Sequence, residues 1–511
     1  MITQEFGTIG GLISLHAQTR PDSIALRQDQ QVLTYRQLDV LMNRVAAGTQ
    51  RDGIRARQSV AICAVNSIDY AVVFLGCLRA GVAVVPLAPG SGAQTLVAML
   101  RDAEAQRIFL DAAAAVAFDQ ANVSLPISSI GLGPGHGSAR AALSDWLALP
   151  EAAPVAVEIQ PDWPCNIIYS SGTTGTPKGI VQSHAMRWTH VQRGALVGYG
   201  IEAITLLATP LYSNTTLVSF LPTLALGGCV ILMAKFDAAA YLSLAAQYRV
   251  THTMLVPVQY QRIMARPDFG QHDLQAFQMK FCTSAPFAAE LKSDILQRWP
   301  GGLIEYYGMT EGGGTCVLAA HLFPGKLHTV GMPAPGHDIR LIDENNQAVG
   351  TGAIGEVVGH SPAMMNGYFG QPAKTAEAEW FAPDGKRFIR TGDLGRFDDD
   401  GFLTLLDRKK DMIISGGFNI YPSDLEAGLM QHPAVAEAAV VGVASAQWGE
   451  TPVGFVVLQT GSTATASELL TWLNQRLGKV QRLADLKLVA SLPRSAIGKV
   501  LKRALRDAYP A

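Results

Sequence analysis

The sequence predicts an α/β protein built from more than one domain. Three observations carry this. Apolar strand segments alternate with helical segments from Leu33 to Ala285. Near Val330 the pattern changes to short strands split by Gly, Pro and Asn-Asn turns. From Val435 onward a further set of strands and helices follows. At 511 residues the chain is too long for one hydrophobic core.

Taken in order, the elements follow from local chemistry. From Tyr35, Leu38, Leu41 and Val45 recur at helical spacing. "SVAICAV" (Ser59–Val65) is apolar throughout and suits a buried strand. "DYAVVFLGCLRAG" (Asp69–Gly81) suits a helix closed by glycine, and "VAVVPL" (Val82–Leu87) suits the next strand. Strand, helix, strand is the signature of a parallel sheet. "AQRIFLD", "TLLATPL", "GCVILMAKF", "HTMLVP" and "QMKFCTSA" continue the alternation. Ala112–Ala117 is read as helix and Leu132–Arg140 as a turn-rich surface loop. "AVAEAAVVGVAS", "TPVGFVVLQ" and "LADLKLVA" are strands of the last unit. "SELLTWLNQRL" is its helix, with Ser467 as the expected N-cap.

Composition is that of a soluble enzyme, with 48% apolar and 16% charged residues and a net charge of −2. That balance gives no general basic surface for nucleic acid or anionic membrane. Apolar stretches stop short of the ~20 residues a membrane span needs. The N-terminus has no secretory pattern. Six cysteines without a CxxC pair read as reduced core residues of a cytoplasmic protein.

Four segments carry chemistry. Ser170, Ser171, Gly172, Thr173, Thr174, Gly175, Thr176, Pro177, Lys178 and Gly179 follow apolar strand text. Glycines let backbone N–H groups converge on an anion, hydroxyls add donors, and Lys178 adds charge. Together they suit a polyphosphate, although the spacing is not that of a Walker loop. In "EYYGMTEGGG" (Glu305–Gly314), Tyr307 could stack on a base, Thr310 could bond a phosphate and Glu311 could hold Mg²⁺. "RTGDL" sets Asp393 after a glycine turn, where a carboxylate can take ribose hydroxyls. "PRSAIGKVLKRAL" carries Lys499 ahead of a basic helix.

In this order, "YSSGTTGTPKG", "YYGMTE", "RTGDLG", "DRKKDMIISGGFNIYPSDLE" and the terminal "GK" resemble the adenylate-forming superfamily. It comprises acyl- and aryl-CoA synthetases, luciferases and peptide-synthetase adenylation domains. The motifs are most similar to aryl- and acyl-CoA ligases such as chlorobenzoate–CoA ligase. The resemblance implies an N-terminal domain over 1–407 with two sheet-and-helix lobes and a β subdomain at about 330–405. A small mobile C-terminal α+β lid over 408–511 would rotate about a hinge at Lys410. It also implies two half-reactions. A carboxylate attacks the α-phosphate of Mg·ATP to give acyl-AMP and pyrophosphate; a thiol then displaces AMP.

Roles follow residue by residue. Ser170 to Gly179 would cradle the β- and γ-phosphates, with Thr173 and Glu311 near the metal. Ser284, Ala285 and Pro286 with Glu305, Tyr306 and Tyr307 would line the adenine. Thr310 would meet the α-phosphate, Asp393 and Arg408 the ribose. Lys499 would bridge carboxylate and α-phosphate. The implied acyl pocket comprises Tyr212, Ser213, Asn214, Met254, Gly308, Gly312, Gly313 and Arg193, although a solvated helix face competes for Arg193. Ser415, Gly416, Gly417, Trp448 and Arg482 would serve CoA.

One departure stands out. Where many such ligases carry a histidine, this chain has Ser213 in "PLYSNTTL". With Gly312, Gly313 and Gly314, that suggests a roomy, partly polar pocket for an aromatic or bulky acid. A fatty acid is the alternative substrate, and a carrier-protein phosphopantetheine the alternative acceptor. Expected partners are thus a carboxylic acid, ATP and CoA, with a homodimer possible.

Overall fold

A computed structural model describes residues 2–134, 141–170, 178–415, 418–445, 448–477, 481–495 and 498–509. By internal contacts the chain forms two compact units. The first comprises Met1–Asp338 and His360–Ile389, the second Ile339–Gly359 and Arg390–Ala511. The division falls inside the segment expected as a β subdomain.

The first unit is two sheets around shared helices. Among the described residues, one sheet runs in the order Gly367–Tyr368, Lys178–Ser183, Pro164–Ser170, Ala83–Leu87, Ser59–Cys63, Ala105–Leu110, Ser129–Gly131 and Ala141–Ala142. The strands from Pro164–Ser170 onward pair in parallel, as the alternating text requires. Side chains of Ser59–Cys63 alternate between two cores: Val60 and Ile62 enter one, Ala61 and Cys63 the other. Both faces are therefore buried, which explains the unbroken apolar run.

The second sheet of this unit includes Gly302–Gly308, Met279–Cys282, His252–Leu255, Ile204–Leu207, Cys229–Leu232 and Ile24–Gln28 as neighbours. Its Ile304, Phe281, Met254, Leu207, Val230 and Leu26 belong to the same core as Val60 and Ile62. Helices Tyr35–Arg51, Ile68–Arg79 and Asn214–Ala225 contribute to that core. Thr34 caps Tyr35–Arg51 through a reciprocal bond with Gln37. Ile68–Arg79 is apolar nearly all round because it is buried nearly all round. Each large side chain there, such as Phe74, contributes about 1.5–3 kcal/mol on burial. A Cβ at Gly76 would lie 2.4 Å from Val45 Cβ, so only glycine permits this helix–helix approach.

In the second unit, Val435–Ser445 and Gly449–Leu458 form a long antiparallel pair, and Asp485–Leu488 adds in parallel. Helices Pro422–Met430 and Ala466–Asn474 cover one face, and Lys502–Ala508 contributes Leu505 to the core on the other. The N-cap of Ala466–Asn474 is Thr465, not Ser467: Thr465 accepts from the Glu468 N–H while Glu468 reaches back. The capping box outbid the nearer serine. The cysteines are free, and all but the half-buried Cys229 are buried. No described helix is long and apolar enough to cross a membrane.

Candidate active site

Expected site residues gather in each unit. In the first, strands Pro164–Ser170 and Lys178–Ser183 pair antiparallel, with Ser170 opposite Lys178. The hairpin sets Lys178 at the base of the hydroxyl-rich loop. Ser171, Gly172, Thr173, Thr174 and Gly175 lie outside the described residues, and so does the expected Thr173–metal contact. The Lys178 ammonium lies 5.0 Å from the centre of the Tyr368 ring. The Tyr368 hydroxyl donates to Oε1 of Glu311 at 2.9 Å. The lysine of one motif and the acid of another thus meet through a tyrosine that no local pattern in the sequence marks. Burial, then Glu311, pushes the Tyr368 phenol above its ordinary value, so it stays a donor.

Thr310, next to Glu311, is fixed by its carbonyl, which accepts from Gln182 Nε2 at 2.7 Å. Gln182 belongs to a buried amide cluster organised by Arg187. The Arg187 guanidinium donates to Asn166 Oδ1 at 2.8 Å, to Asn214 Oδ1 at 2.9 Å and to Gln182 Oε1. Burial pushes it down to about 10.

The expected pocket residues divide. Ser213 is buried, and its hydroxyl accepts the Thr215 N–H at 3.3 Å as N-cap of helix Asn214–Ala225. Asn214 is taken by Arg187. The polar wall expected from "SNT" is therefore largely internal bonding. Met254 sits in the core, Tyr212 is half-buried, and Gly308 is exposed. Gly312 has φ +74° and a Cβ there would lie 1.9 Å from the Ala363 carbonyl oxygen. Its missing side chain makes room for that backbone rather than for a ligand. Gly313 is buried. Arg193 is half-buried on helix His184–Leu196.

Of the expected adenine residues, Ser284 has φ +84°, a strained conformation of the kind found at ligand sites. Its hydroxyl is 2.6 Å from that of Thr215; Ala285 and Pro286 follow it. Glu305 is buried and ion-paired with Lys292 of helix Ala289–Arg298. Burial pushes its carboxyl up, with Lys292 opposing. Tyr306 stacks on Phe281, ring centres 5.8 Å apart, and Tyr307 is half-buried beside it.

In the second unit, Asp393 and Arg408 are opposite each other on paired strands, and Arg408 Nε lies 2.7 Å from Asp393 Oδ1. The Thr391 hydroxyl accepts the Asp393 N–H at 3.0 Å. Lys499 is exposed as a whole residue, and its ammonium lies among the charged groups of Arg408, Asp393, Lys410 and Asp411. Lost solvent, then Arg408 and Lys410, push it down to about 8, with Asp393 and Asp411 opposing. Ribose, bridging and hinge candidates therefore share one neighbourhood. Among the CoA candidates, buried Ser415 pairs with Gly449, next to Trp448, which is 50% exposed. Arg482 is exposed, and Gly416 and Gly417 lie outside the described residues.

Paired sheets, a strained serine turn and a lysine–tyrosine–carboxylate association define the architecture of an adenylate-forming ligase. Residues 13–369 match the AMP-binding enzyme family and residues 424–499 its C-terminal domain. The chain belongs to the AMP-binding enzyme family and is an acid–thiol ligase. A feruloyl-CoA synthase of an Amycolatopsis species is 35% identical over 96% of this chain and 97% of its own. ScoC of Streptomyces coeruleorubidus, a fatty acid–[acyl-carrier-protein] ligase, is 31% identical over 97% and 95%. The crystal structure of ATP-bound MatB from Rhodopseudomonas palustris superposes with a TM-score of 0.86 at 28% identity, covering 98% of this chain and 99% of that one.

Proposed function

We propose that the protein activates an aromatic or other bulky, partly polar carboxylic acid as its acyl-adenylate and passes the acyl group to CoA. The observation that carries this is the convergence of Lys178, Tyr368 and Glu311, at 5.0 and 2.9 Å. It joins a cation for phosphate oxygens to a carboxylate able to take Mg²⁺. Among the described residues no three His, Cys, Asp or Glu side chains group as a metal site. Mg²⁺ commonly uses one or two carboxylates plus substrate phosphates, which Glu311, with Thr173, would suit. There it would neutralise phosphate charge.

In the first half-reaction a carboxylate oxygen bonds the α-phosphorus and the bond to pyrophosphate breaks. Lys499 offsets the repulsion of the two anions. One charge pair at ~4 Å and an effective dielectric of ~20 is worth about 4 kcal/mol, roughly a thousandfold in rate. In the second, a thiol sulfur attacks the acyl carbonyl and AMP leaves. Similarity to the feruloyl-CoA synthase and the exposed Trp448 support an aromatic acid and CoA. The same proposal covers Asp393 with Arg408 at the ribose, and a cytoplasmic location.

The test is an acid panel with ATP and CoA, scored for AMP release; no release with any acid would overturn the reading. The match to ScoC favours a second acceptor. Faster discharge of acyl-AMP by a phosphopantetheinylated carrier than by CoA would select it.

A further inference from the structure

The segment that carries Lys499 has polar residues the ligase reading does not use, Arg494 and Ser495 among them. Arg494 and Val500 pair across an antiparallel bridge. Within it the Ser495 N–H donates to the Lys499 carbonyl at 2.8 Å, and the Leu501 N–H to the Pro493 carbonyl at 2.8 Å. Leu492 belongs to the core built by Ala439 and Val441 of strand Val435–Ser445, and Val500 packs against it. Lys499 thus opens the returning arm of a short hairpin laid on that sheet.

The peptide unit between Gly498 and Lys499 is held at both ends by side chains. Its carbonyl accepts from Arg494 Nη1 at 2.7 Å, and its N–H donates to the Ser495 hydroxyl at 3.2 Å. Gly498 has φ +79°, a backbone that glycine adopts without steric cost. The same guanidinium also reaches Glu437, with Arg494 Nη2 2.6 Å from Glu437 Oε2. Glu437 lies on strand Val435–Ser445, where the pairing with Gly449–Leu458 shifts register between Val435 and Glu437. Such bulges re-aim side chains. A planar guanidinium, with its donors in a fixed fork, therefore ties the backbone of Lys499 to the sheet. Other contacts keep the segment in place. Lys502 Nζ is 2.8 Å from Glu426 Oε1, Arg506 Nε donates to the Gly442 carbonyl at 3.0 Å, and Leu505 is buried in the core. What Arg494 adds is the orientation of one peptide, and that peptide carries Lys499.

We propose that Arg494, gripped by Glu437, is a positioning residue for Lys499: it fixes the backbone from which the ammonium bridges carboxylate and α-phosphate. This rests on the bridging role given to Lys499 above. That role belongs to the first half-reaction only, and so does the effect of Arg494.

The experiment measures both half-reactions in single turnover on the full chain, using the acid of the panel that releases AMP fastest. One assay follows acyl-AMP formation from that acid and ATP, the other thioester formation from preformed acyl-AMP and CoA. Arg494→Met keeps an apolar stem and removes both bonds. It should slow the first step about 10- to 100-fold, the scale of a reacting group misplaced by about an ångström, and leave the second close to wild type. Arg494→Lys supplies charge without the fork, and Glu437→Gln leaves an oxygen acceptor for the guanidinium. Each should show the same bias toward the first step with a smaller loss, which keeps the test decisive if Arg494→Met does not fold. In a Lys499→Ala background Arg494→Met should slow the first step no further, because no ammonium remains to be placed. Losses that multiply in the double variant, equal losses in the two half-reactions, or a wild-type first step in the folded single variants would each overturn the inference. If Lys499→Ala slows the first step and the Arg494 variants do not, the inference fails while the bridging role stands. If Lys499→Ala spares that step, or no acid releases AMP, both fail.

Discussion

The side-chain amide of Gln182 donates to the backbone carbonyl of Thr310 at 2.7 Å, and Gln182 is itself held by Arg187. The residue expected at the α-phosphate is therefore positioned from beneath by a buried cation. Arg187→Leu removes the donor to Asn166 Oδ1 and weakens the hold on Gln182 and Asn214. Buried acceptors left unpaired cost about 1–3 kcal/mol each. We expect about 3 kcal/mol of stability lost, read as a lower urea midpoint. ATP–pyrophosphate exchange should fall further than the folded fraction does. Exchange that tracks the folded fraction alone would make the cluster purely structural.

Glu305 offers a contrasting case, because its carboxylate is committed to Lys292 in the protein interior. The Lys292 ammonium also donates to the carbonyls of Leu327, at 2.7 Å, and Thr329, at 3.2 Å. Lys292→Met strands a buried carboxylate, a change that costs about 3–5 kcal/mol. Adding Glu305→Leu should restore much of the loss. Glu305→Gln should lower thermal stability while leaving KM for ATP close to wild type. A large rise in that KM without a stability change would instead return Glu305 to the adenine.

Strands and helices were legible wherever a segment is buried on both faces, as at Ser59–Cys63 and Ile68–Arg79, because burial writes itself directly into composition. The motif residues were legible because Gly, hydroxyl, Lys and acid occur there without a packing reason. What the sequence hid is tertiary. Tyr368 looks like one aromatic among others until the pairing of Gly367–Tyr368 with Ile180 and Val181 brings it to Lys178. Gly312 looked like pocket space and is instead a left-handed residue against the Ala363 carbonyl. Ser213 looked like pocket wall and is a helix cap.

Lys499 should impose an alkaline limit on adenylation. Lost solvent, then Arg408 and Lys410, lowers its ammonium to about 8, so the cation is present below that pH and lost as pH rises through it. For the free enzyme, kcat/KM for acyl-AMP formation should decline above about pH 8, approaching tenfold per unit. Lys499→Arg keeps its proton and should remove the decline, whatever its absolute rate. Lys499→Ala should cripple acyl-AMP formation far more than thioester formation from preformed acyl-AMP. Equal losses in both steps would contradict the bridging role.

The expected hinge, Lys410, lies in a tight turn between strands Leu403–Arg408 and Ile413–Ser415. The Asp411 and Met412 N–H groups both donate to the Arg408 carbonyl, at 2.9 and 3.0 Å, and the Lys409 N–H donates to Gly392 at 2.8 Å. Lys410 is exposed and sits at the third position of the 408–411 turn. Proline there fixes φ near −65° and biases Lys409 away from helical geometry. Lys410→Pro therefore restricts the backbone of Lys409 and Lys410, and strains the present turn, at the place where a few residues would absorb a large backbone change. A hinge needed only between half-reactions predicts that the variant still forms acyl-AMP and forms thioester far more slowly. Single-turnover rates of both steps on the same folded sample separate this from a general loss of structure, which would slow the two together. Wild-type thioester formation by the folded variant would exclude Lys410 as the pivot.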